Sequence, residues 1–323
     1  MMIDARRVVR NALAHFESGD RILLAVSGGA DSLLLAAATN LEAIKVGIQL
    51  SALVVDHQLQ NGSGEVALSA QKKLIELGIT EAKISQVEVI GNVSSGGSGG
   101  NGGMEAAARR VRYEALDAEA DRIGAVAIFL GHTEDDLAET VLLGLARGSG
   151  TRSLSGMAFH VGRYVRPFLE LTRAQVLTAC KESGIEFWSD PQNEELHFAR
   201  VRVRNEILPK MEKEIGPGIS KALARTSRIL REDADALDLI AGDIFASLAD
   251  PAQIPIELIA EVPSAVRKRV IKRAIEAMGA PTLTAEQIVE VDALVGAWKG
   301  QGAVALAGGI TARRDSGRLT LSK

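Results

Sequence analysis

The sequence predicts an α/β fold: a doubly wound parallel sheet followed by a second, smaller and mainly helical domain. Short runs of apolar and β-branched residues alternate with helical patterns through the first half of the chain. The pattern becomes mainly helical from about Pro217. The length, 323 residues, is about that of two ordinary domains. We therefore predict one domain over residues 1–216 and another over residues 217–323.

Four segments are expected to form the parallel sheet. They are Arg21–Val26, Gln49–Asp56, Ala82–Val89 and Ala125–Gly131. Helical patterns lie between them at about Asp31–Leu41, Ser63–Leu77 and Met104–Ile123. Each is long enough to connect two parallel strands by a right-handed crossover.

A glycine and serine run, Gly91–Gly103, separates the third strand from its helix. It cannot bury enough apolar surface to offset its ordering entropy, so we expect a mobile loop. Gly97, Gly99 and Gly102 satisfy G-x-G-x-x-G there. One such match is nearly inevitable in so glycine-rich a tract, so it does not indicate a dinucleotide site.

The end of the chain combines a helix with short strands. Thr284 and Gln287 form a capping-box pattern that opens a helix through about Trp298. Short strands are expected at Ala303–Ala307, Ile310–Arg313 and Arg318–Leu321. Turn residues separate these segments, which predicts a short C-terminal β hairpin on the mainly helical domain.

Composition excludes several classes of protein. The net charge is −4, so a nucleic-acid partner has to be sought in local basic clusters. Cys180 is the only cysteine in the sequence, which excludes a disulfide framework, a multi-thiolate zinc site and sulfur transfer by paired cysteines. Aromatic residues are only 3% of the chain, which argues against RNA binding on a row of aromatic rings.

No segment of the sequence has the features of a leader or a membrane anchor. The first residues lack an uninterrupted apolar stretch, and no later one reaches the ~18 apolar residues of a membrane span. We expect a cytoplasmic protein with no membrane partner. A homodimer is compatible with the sequence.

The first strand runs directly into Ser27-Gly-Gly-Ala-Asp-Ser32 and then a helix. Successive backbone N–H groups in such a turn form an anion site that the helix dipole reinforces. Gly28 and Gly29 allow close approach of a phosphate, Ser27 and Ser32 add hydroxyl groups, and Asp31 can hold Mg²⁺. A tight turn with a serine or aspartate cap is the alternative. The lysine of a Walker A loop is missing.

Three further segments place polar side chains near that turn. Asp56 and His57 end the second strand, although they could be ordinary turn residues. Arg109 and Arg112 share a helical face suited to phosphates, with a solvated Glu–Arg ladder as the alternative. The last segment starts a helix after the fourth strand. It contains Gly131, His132, Thr133, Asp135, Asp136 and Glu139. Capping by Thr133 and Asp136 alone would leave the other carboxylates unexplained.

Two basic clusters are candidate phosphate-binding surfaces. The first lies between Arg200 and Arg231 and carries a surplus of six positive charges. The second contains Arg267, Lys268, Arg269, Lys272 and Arg273 with no acidic residue between them. Each could instead be a solvated helix face, but two clusters on an acidic chain indicate contacts to an RNA stem.

The turn SGGADS resembles the PP-loop of the ATP pyrophosphatases, which implies release of AMP and pyrophosphate. Other motifs resemble those of the tRNA(Ile)-lysidine synthetase family from about Arg21 to Pro209. They are GHTEDDLAET at 131–140, EAAARRVRY at 105–113, VRPFLE at 165–170 and DPQN at 190–193. The helical tail is also similar to that family's second domain.

This resemblance implies adenylation of the C2 oxygen of the wobble cytidine in the CAU anticodon of an isoleucine tRNA. Free L-lysine then displaces AMP to give lysidine. Asp31, Asp136 and Glu139 are implied as catalytic residues, with Asp31 and Asp136 at Mg²⁺ and Asp136 with Glu139 at the lysine amines. ATP would contact Ser27, Gly28, Gly29, Ala30, Asp31, Ser32, Asp56, His57, Arg109, Arg112, Gly131 and His132. We expect tRNA contacts from Arg200, Arg204, Arg225, Arg228, Arg267 and Lys268.

Three other functions fit the sequence less well. A tRNA thiolase with the same loop would need more cysteines than Cys180. An amidating relative such as NAD synthetase would not explain the basic clusters. A nucleotide-binding module without catalysis would not need Asp31, Asp136 and Glu139.

Overall fold

A computed structural model describes residues 1–58, 62–89, 100–148, 150–189, 195–280 and 283–323. The chain divides into two compact units, one of Met1–Gly148 with Gly156–Ser227 and one of Ser149–Ser155 with Arg228–Lys323. The predicted boundary at residue 217 differs from this division, which falls inside a continuous helix, Ile219–Ala246. The assignment of catalysis to the first predicted domain and of tRNA binding to the second stays a prediction.

The first unit is built on a six-stranded sheet. Its strands are β1 (Arg21–Val26), β2 (Gln49–Asp56), β3 (Ala82–Gln86), β4 (Ala127–Leu130), β5 (His160–Val161) and β6 (Tyr164–Val165). They lie in the order β3-β2-β1-β4-β6-β5, and every pair is parallel except β5 with β6. The sequence RILLAV of β1 is buried on both faces, as a central parallel strand requires.

The helices of the first unit lie before, between and after the strands of this sheet. They are α1 (Met2–Leu13), α2 (Ala30–Val46), α3 (Ser63–Glu76), α4 (Gly100–Ile123), α5 (Glu134–Ala146), α7 (Arg173–Glu182), α8 (Ala199–Arg202) and α9 (Leu208–Glu214). A 3₁₀ turn, Pro167–Glu170, and a π turn, Val203–Ile207, lie among them. The main core packs α1, α2, α3 and α7 against β1, β2 and β4.

The second unit contains a four-stranded antiparallel sheet. Its strands are β7 (Gln253–Pro255), β8 (Val304–Ala305), β9 (Thr311–Asp315) and β10 (Arg318–Ser322), in the order β7-β10-β9-β8. Its helices include α6 (Thr151–Leu154), α11 (Ile256–Ile259), α12 (Ser264–Ala277) and α13 (Ala285–Gly296), and α10 (Ile219–Ala246) begins before it. The predicted hairpin is β9 and β10, and β7 and β8 extend it to a sheet.

Some predicted segments end elsewhere or lie outside the described residues. β3 stops at Gln86, and β4 is shorter than predicted at both ends. The predicted loop Gly91–Gly103 is outside the described residues up to Gly99, and α4 already begins at Gly100. The DPQN motif, residues 190–193, is also outside them. Among the helices that the structure does describe, none is long and apolar enough to cross a membrane.

Candidate active site

The glycine turn lies at the carboxyl end of β1, as predicted. Gly28 has a φ of +84°, which favours glycine, and Gly29 precedes the first turn of α2. The Ser32 hydroxyl donates to the Gly29 carbonyl at 3.0 Å and accepts from the Ser27 N–H at 3.2 Å. These bonds give the turn a defined shape and direct the N-terminus of α2 into the site.

The end of β4 packs directly against this turn at Gly131. A Cβ atom placed on Gly131 would lie 3.0 Å from the carbonyl carbon and oxygen of Asp31 and 3.1 Å from the Ser32 nitrogen. Those atoms belong to the backbone of α2 and cannot move independently. A glycine is therefore required here for the two neighbouring parallel strands to bring their ends together.

Two cavities open at these strand ends. The larger, of about 620 Å³, brings together many of the predicted residues: Ser27, Gly29, Ala30, Asp31, Ser32, Arg112, Gly131, His132, Asp136 and Arg204. The smaller, of about 200 Å³, is lined by Asp56 and His57 together with Leu53, Val55, Val66 and Ala67. Both are lined by Ser27, Arg112 and Trp188, so a single ligand could extend across them.

Asp31 is a largely buried carboxylate at the start of α2. Its Oδ2 accepts a hydrogen bond from the Arg173 guanidinium at 3.3 Å, whereas its buried Oδ1 has no partner among the described residues. Burial raises the pKa of Asp31 to about 6, although Arg173 lowers it, and the nearby Asp136 adds to the rise. The carboxylate is thus ionised but poorly compensated near neutral pH.

Asp136 uses its two oxygens for different purposes. Oδ2 accepts from the Thr133 N–H at 2.8 Å and completes the capping box of α5, while Oδ1 pairs with Arg204 at 3.0 Å. Burial raises the pKa of Asp136, but His132, the Thr133 N–H and Arg204 outweigh it, and the pKa is lowered overall. The capping interpretation and the catalytic one are therefore compatible in one side chain.

Glu139 has no exposed surface and is surrounded by arginines. Its Oε1 accepts from Arg204 Nε at 2.5 Å and its Oε2 from Arg204 Nη2 at 2.9 Å, with Arg200 Nε 3.1 Å from Oε2. Burial raises the pKa of Glu139 despite these cations. Both oxygens of Glu139 face guanidinium groups in this structure, and its contact with a lysine amine stays a prediction.

Arg200 and Arg204 are consequently not free cations for tRNA. Arg200 also donates to the Thr140 hydroxyl at 2.8 Å, and Arg204 joins Asp136 to Glu139. Their predicted role in binding tRNA phosphates needs correction, since the positive charge of each is engaged by buried carboxylates. The sequence alone could not reveal this, because the paired residues lie 60 or more positions apart.

Two histidines line the cavities. The Nδ1 atoms of His57 and His132 are buried without a partner among the described residues. Burial lowers the pKa of each, so both imidazoles are neutral near pH 7. A neutral imidazole can accept or donate a hydrogen bond to a polar ligand, as the prediction for these residues requires.

The two arginines of α4 are placed differently. Arg112 is partly buried and lines both cavities. The exposed Arg109 packs on the Tyr113 ring at 4.9 Å and donates to its hydroxyl at 3.1 Å. Arg109 lines neither of the two cavities described above, so its contact with ATP stays a prediction.

Sequence reasoning missed several residues of the larger cavity, among them Arg173, Phe187 and Trp188. Arg173 contacts Asp31, and Phe187 and Trp188 supply an apolar wall. The Trp188 N–H donates to the Gly28 carbonyl at 3.0 Å, which ties this wall to the glycine turn. The sequence signal nearest to Arg173 is the capping pattern Thr172-x-x-Gln175, which contains it. This pattern predicts the start of a helix and not a binding site.

In the second unit, Arg267 does not form part of an exposed basic surface. It is buried and bonds Asp292 at 2.6 and 3.4 Å and the carbonyls of Ala260 and Val262 at 3.1 Å. Its predicted contact with tRNA is therefore wrong, because the guanidinium is fully used inside the unit. Lys268 lines a separate cavity of about 660 Å³ in this unit.

Arg225 and Arg228 are exposed residues of α10. Because both side chains are exposed, their contact with tRNA stays a prediction that this structure permits.

The donor set at the glycine turn fits Mg²⁺. Proteins usually hold this ion by one or two carboxylates together with substrate phosphates. Asp31 has an unpartnered buried oxygen that faces no competing hydrogen-bond donor in the described part of the chain, and Asp136 is close enough to influence its pKa. No group of three or more His, Cys, Asp or Glu side chains that could hold a metal converges among the residues that the structure describes.

Comparisons with known proteins identify the family of the chain. Residues 2–211 match the model of a PP-loop domain, and residues 255–320 match that of a TilS substrate binding domain. The tRNA(Ile)-lysidine synthase of Streptomyces coelicolor is 46% identical over 93% of this chain and 84% of its own length. That of Thermobifida fusca is 45% identical over 98% of this chain and 96% of its own. The chain belongs to the tRNA(Ile)-lysidine synthase family.

Other comparisons add detail to this assignment. The family member of Nocardia farcinica is 44% identical over 98% of this chain and 97% of its own length. A U34-tRNA thiolase of Methanococcus maripaludis has a similar fold, with a TM-score of 0.56 at 19% identity over 70% of this chain and 78% of its own. The likeness to the thiolase concerns the fold alone, and it agrees with the predicted doubly wound sheet.

Proposed function

We propose that this protein is an ATP-dependent carbon–nitrogen ligase that converts the wobble cytidine of an isoleucine tRNA to lysidine. ATP would be split to AMP and pyrophosphate. One observation carries the proposal: the glycine turn, Asp31, Asp136 and Arg112 line one cavity, in a chain that belongs to this family. Membership in the family supports the ligase activity, and the geometry supports where it takes place.

The two connected cavities fit the parts of ATP. The smaller has apolar walls of Leu53, Val55, Val66 and Ala67, which suit an adenine ring. The larger has the backbone N–H groups of the glycine turn and the N-terminus of α2, which suit phosphates. Arg112 lines both, where the α-phosphate of a bound ATP would lie.

Adenylation requires the cytidine C2 oxygen to attack the α-phosphate while pyrophosphate departs. A carbonyl oxygen is a poor leaving group, and converting it to an AMP ester makes displacement at C2 feasible. Asp31 and Asp136 would hold Mg²⁺, which would neutralise charge on the phosphates. The backbone N–H groups of the turn would stabilise the departing pyrophosphate in a fixed orientation.

Lysine must attack as a neutral amine. With a reference pKa near 10.4 for its ε-amine, forming the neutral amine at pH 7 costs about 4.6 kcal/mol. A carboxylate beside that amine would increase this cost unless it accepts the proton. We therefore propose that carboxylate pairing serves mainly the α-amino group. Asp136 and Glu139 are the proposed partners of that group, and both pair with Arg204 in this structure.

The tRNA would be held by phosphate contacts while the wobble base enters the larger cavity. Phosphate contacts position an RNA but do not select its sequence. The exposed Arg225 and Arg228 and the partly buried Lys268 remain the proposed contacts, and the CAU anticodon the proposed target. We also propose a cytoplasmic location, where tRNA is modified, and leave the homodimer as a prediction.

The direct test is to incubate the protein with ATP, Mg²⁺, lysine and isoleucine tRNA with a CAU anticodon, and to analyse the nucleosides by mass. A lysine adduct of cytidine is expected, together with AMP. The matched control is the elongator methionine tRNA, which has the same anticodon and should remain unmodified. A sulfur adduct, or ATP binding with no adduct, would contradict the proposal.

A further inference from the structure

We propose that Arg173 binds the leaving pyrophosphate of ATP and supplies the positive charge that a Walker A lysine supplies in other phosphate-binding loops. This inference rests on the proposed function, since it concerns the same cavity. It assigns a role to a residue that the motifs at the glycine turn do not include.

The backbone of Arg173 is held rigidly beside the site. Arg173 is the first residue of α7, and the capping box of Thr172 and Gln175 fixes the start of this helix. The Arg173 N–H donates to Asp135 Oδ2 at 2.7 Å, and the Glu134 N–H donates to the Leu171 carbonyl at 2.9 Å. The N-termini of α5 and α7 are thereby bonded to each other, which gives Asp135 a role of its own.

The side chain of Arg173 reaches from this anchor to the glycine turn. Its Nη2 lies 3.3 Å from Asp31 Oδ2, it lines the larger cavity, and a third of the side chain is exposed. A guanidinium presents five donors in a planar fork, and one contact with a carboxylate leaves donors for a phosphate. The group is therefore both positioned and accessible.

The charge balance of the cavity points to the same residue. The SGGADS turn contains no lysine, and pyrophosphate is strongly anionic. Among the described residues, the arginines that line the cavity are Arg112, Arg173 and Arg204. Arg204 is held by Asp136 and Glu139, and Arg112 extends to the smaller cavity. Arg173 is the cation that faces the turn itself.

Binding would involve an exchange of partners without any covalent step. In this structure Arg173 pairs with one oxygen of Asp31. With pyrophosphate on the glycine turn, the guanidinium would move to the phosphate oxygens, and both oxygens of Asp31 would become available to a cation. Leaving-group binding and cation binding would thus be coupled at one ion pair.

The test is calorimetric binding of inorganic pyrophosphate in the presence of Mg²⁺, with neither tRNA nor lysine. Arg173→Gln is expected to weaken binding at least tenfold, and Arg173→Lys less than Arg173→Gln. The control is Arg7→Gln, which removes an exposed arginine that pairs with Glu170 at 3.8 Å; it should bind as the parent does. Equal affinity of Arg173→Gln and the parent protein would overturn the proposal.

A second arm separates phosphate binding from a purely structural ion pair. With Mg²⁺ removed by a chelator, Asp31→Asn should bind pyrophosphate more tightly than the parent, since Arg173 is released and a repelling charge is lost. In the background of Asp31→Asn, adding Arg173→Gln should abolish that gain. If Arg173 had only a structural role, adding Arg173→Gln would leave the affinity for pyrophosphate unchanged. That result would overturn the proposal.

These measurements do not depend on the tRNA reaction. If the parent protein forms no lysidine but Arg173→Gln still binds pyrophosphate more weakly than the parent, the proposed function fails and the role of Arg173 stands. If lysidine forms and pyrophosphate binding is unaffected in Arg173→Gln, the proposed function stands and the role of Arg173 fails. Thermal unfolding of each variant shows whether it is folded at the temperature of the titration.

Discussion

At the scale of single residues, the site concentrates charges that do not favour folding. Asp31 has a pKa raised to about 6 by burial, so ionising it is harder in the folded chain than in the unfolded one. A group of this kind destabilises the native state above its folded pKa. Such strain is expected where a carboxylate is reserved for a ligand rather than for the fold.

We predict that Asp31→Asn stabilises the protein while abolishing lysidine formation. A rise of two pKa units corresponds to roughly 3 kcal/mol, and we expect an increase in unfolding free energy of about 1–3 kcal/mol above pH 6. Below about pH 3, Asp31 is protonated in both folded and unfolded chains, so the gain should vanish. Denaturant unfolding between about pH 3 and pH 8 measures this change in unfolding free energy.

A gain that does not depend on pH would contradict this explanation. Retained turnover in Asp31→Asn would contradict the wider assignment of the site.

Many residues of the site could be predicted from the sequence, but the ion pairs that they form with one another could not. Asp31 and Asp136 were expected in one cavity because parallel strands end at the same edge of a sheet, and they line it together. Arg204 was assigned to tRNA because its position in a basic run says nothing about the carboxylates of α5. Its partner Glu139 lies 65 residues away, and only the fold brings the two together.

At the scale of elements, local patterns predicted most of the first sheet. β1 and β2 have the predicted bounds because their apolar runs end in turn residues. The hairpin of β5 and β6 was missed, since two-residue strands have no periodicity to detect. β7 was missed for the same reason: it has three residues, and pairing with β10 rather than its own sequence makes it a strand.

The contact of β4 with α2 yields a second prediction. Gly131→Ala would place a methyl group 3.0 Å from backbone atoms of Asp31, so the glycine turn has to shift. We expect about 1–3 kcal/mol of destabilisation and a raised KM for ATP, with the KM for lysine less affected. Steady-state kinetics and denaturant unfolding measure the two effects.

The matched control is Gly302→Ala, because no atom lies within 4 Å of the Cβ position there. An unchanged KM for ATP in Gly131→Ala would show that the close packing does not shape the nucleotide site.

At the scale of the whole molecule, an acidic chain can bind RNA only through a limited number of exposed cations. Each cation that contacts a phosphate contributes to the salt dependence of binding. Arg267 and Lys268 are adjacent in the sequence but differ in their burial. Arg267 is paired with Asp292 inside the second unit, whereas Lys268 lines a cavity. Counting charges along the sequence could not make this distinction.

We predict that Lys268→Gln weakens tRNA binding and reduces the slope of log K against log salt by about 0.9. Arg225→Gln should also weaken tRNA binding and reduce this slope by a similar amount. Arg267→Gln should instead destabilise the protein by roughly 3–5 kcal/mol, because it leaves Asp292 buried without its partner. Filter binding at several salt concentrations and denaturant unfolding distinguish the outcomes.

Lys72→Gln serves as the control, since it removes a highly exposed lysine of α3. A slope unchanged in both Lys268→Gln and Arg225→Gln would exclude these residues from the tRNA contact.

The single cysteine has a practical consequence. Cys180 is completely enclosed in the core beneath α2, and burial raises the pKa of its thiol to about 11. Alkylating reagents attack the thiolate, which is both inaccessible and scarcely formed at neutral pH. Any cysteine introduced on the surface should therefore accept a fluorophore selectively without replacement of the native one, and distances to a labelled RNA could be followed in an otherwise unaltered chain.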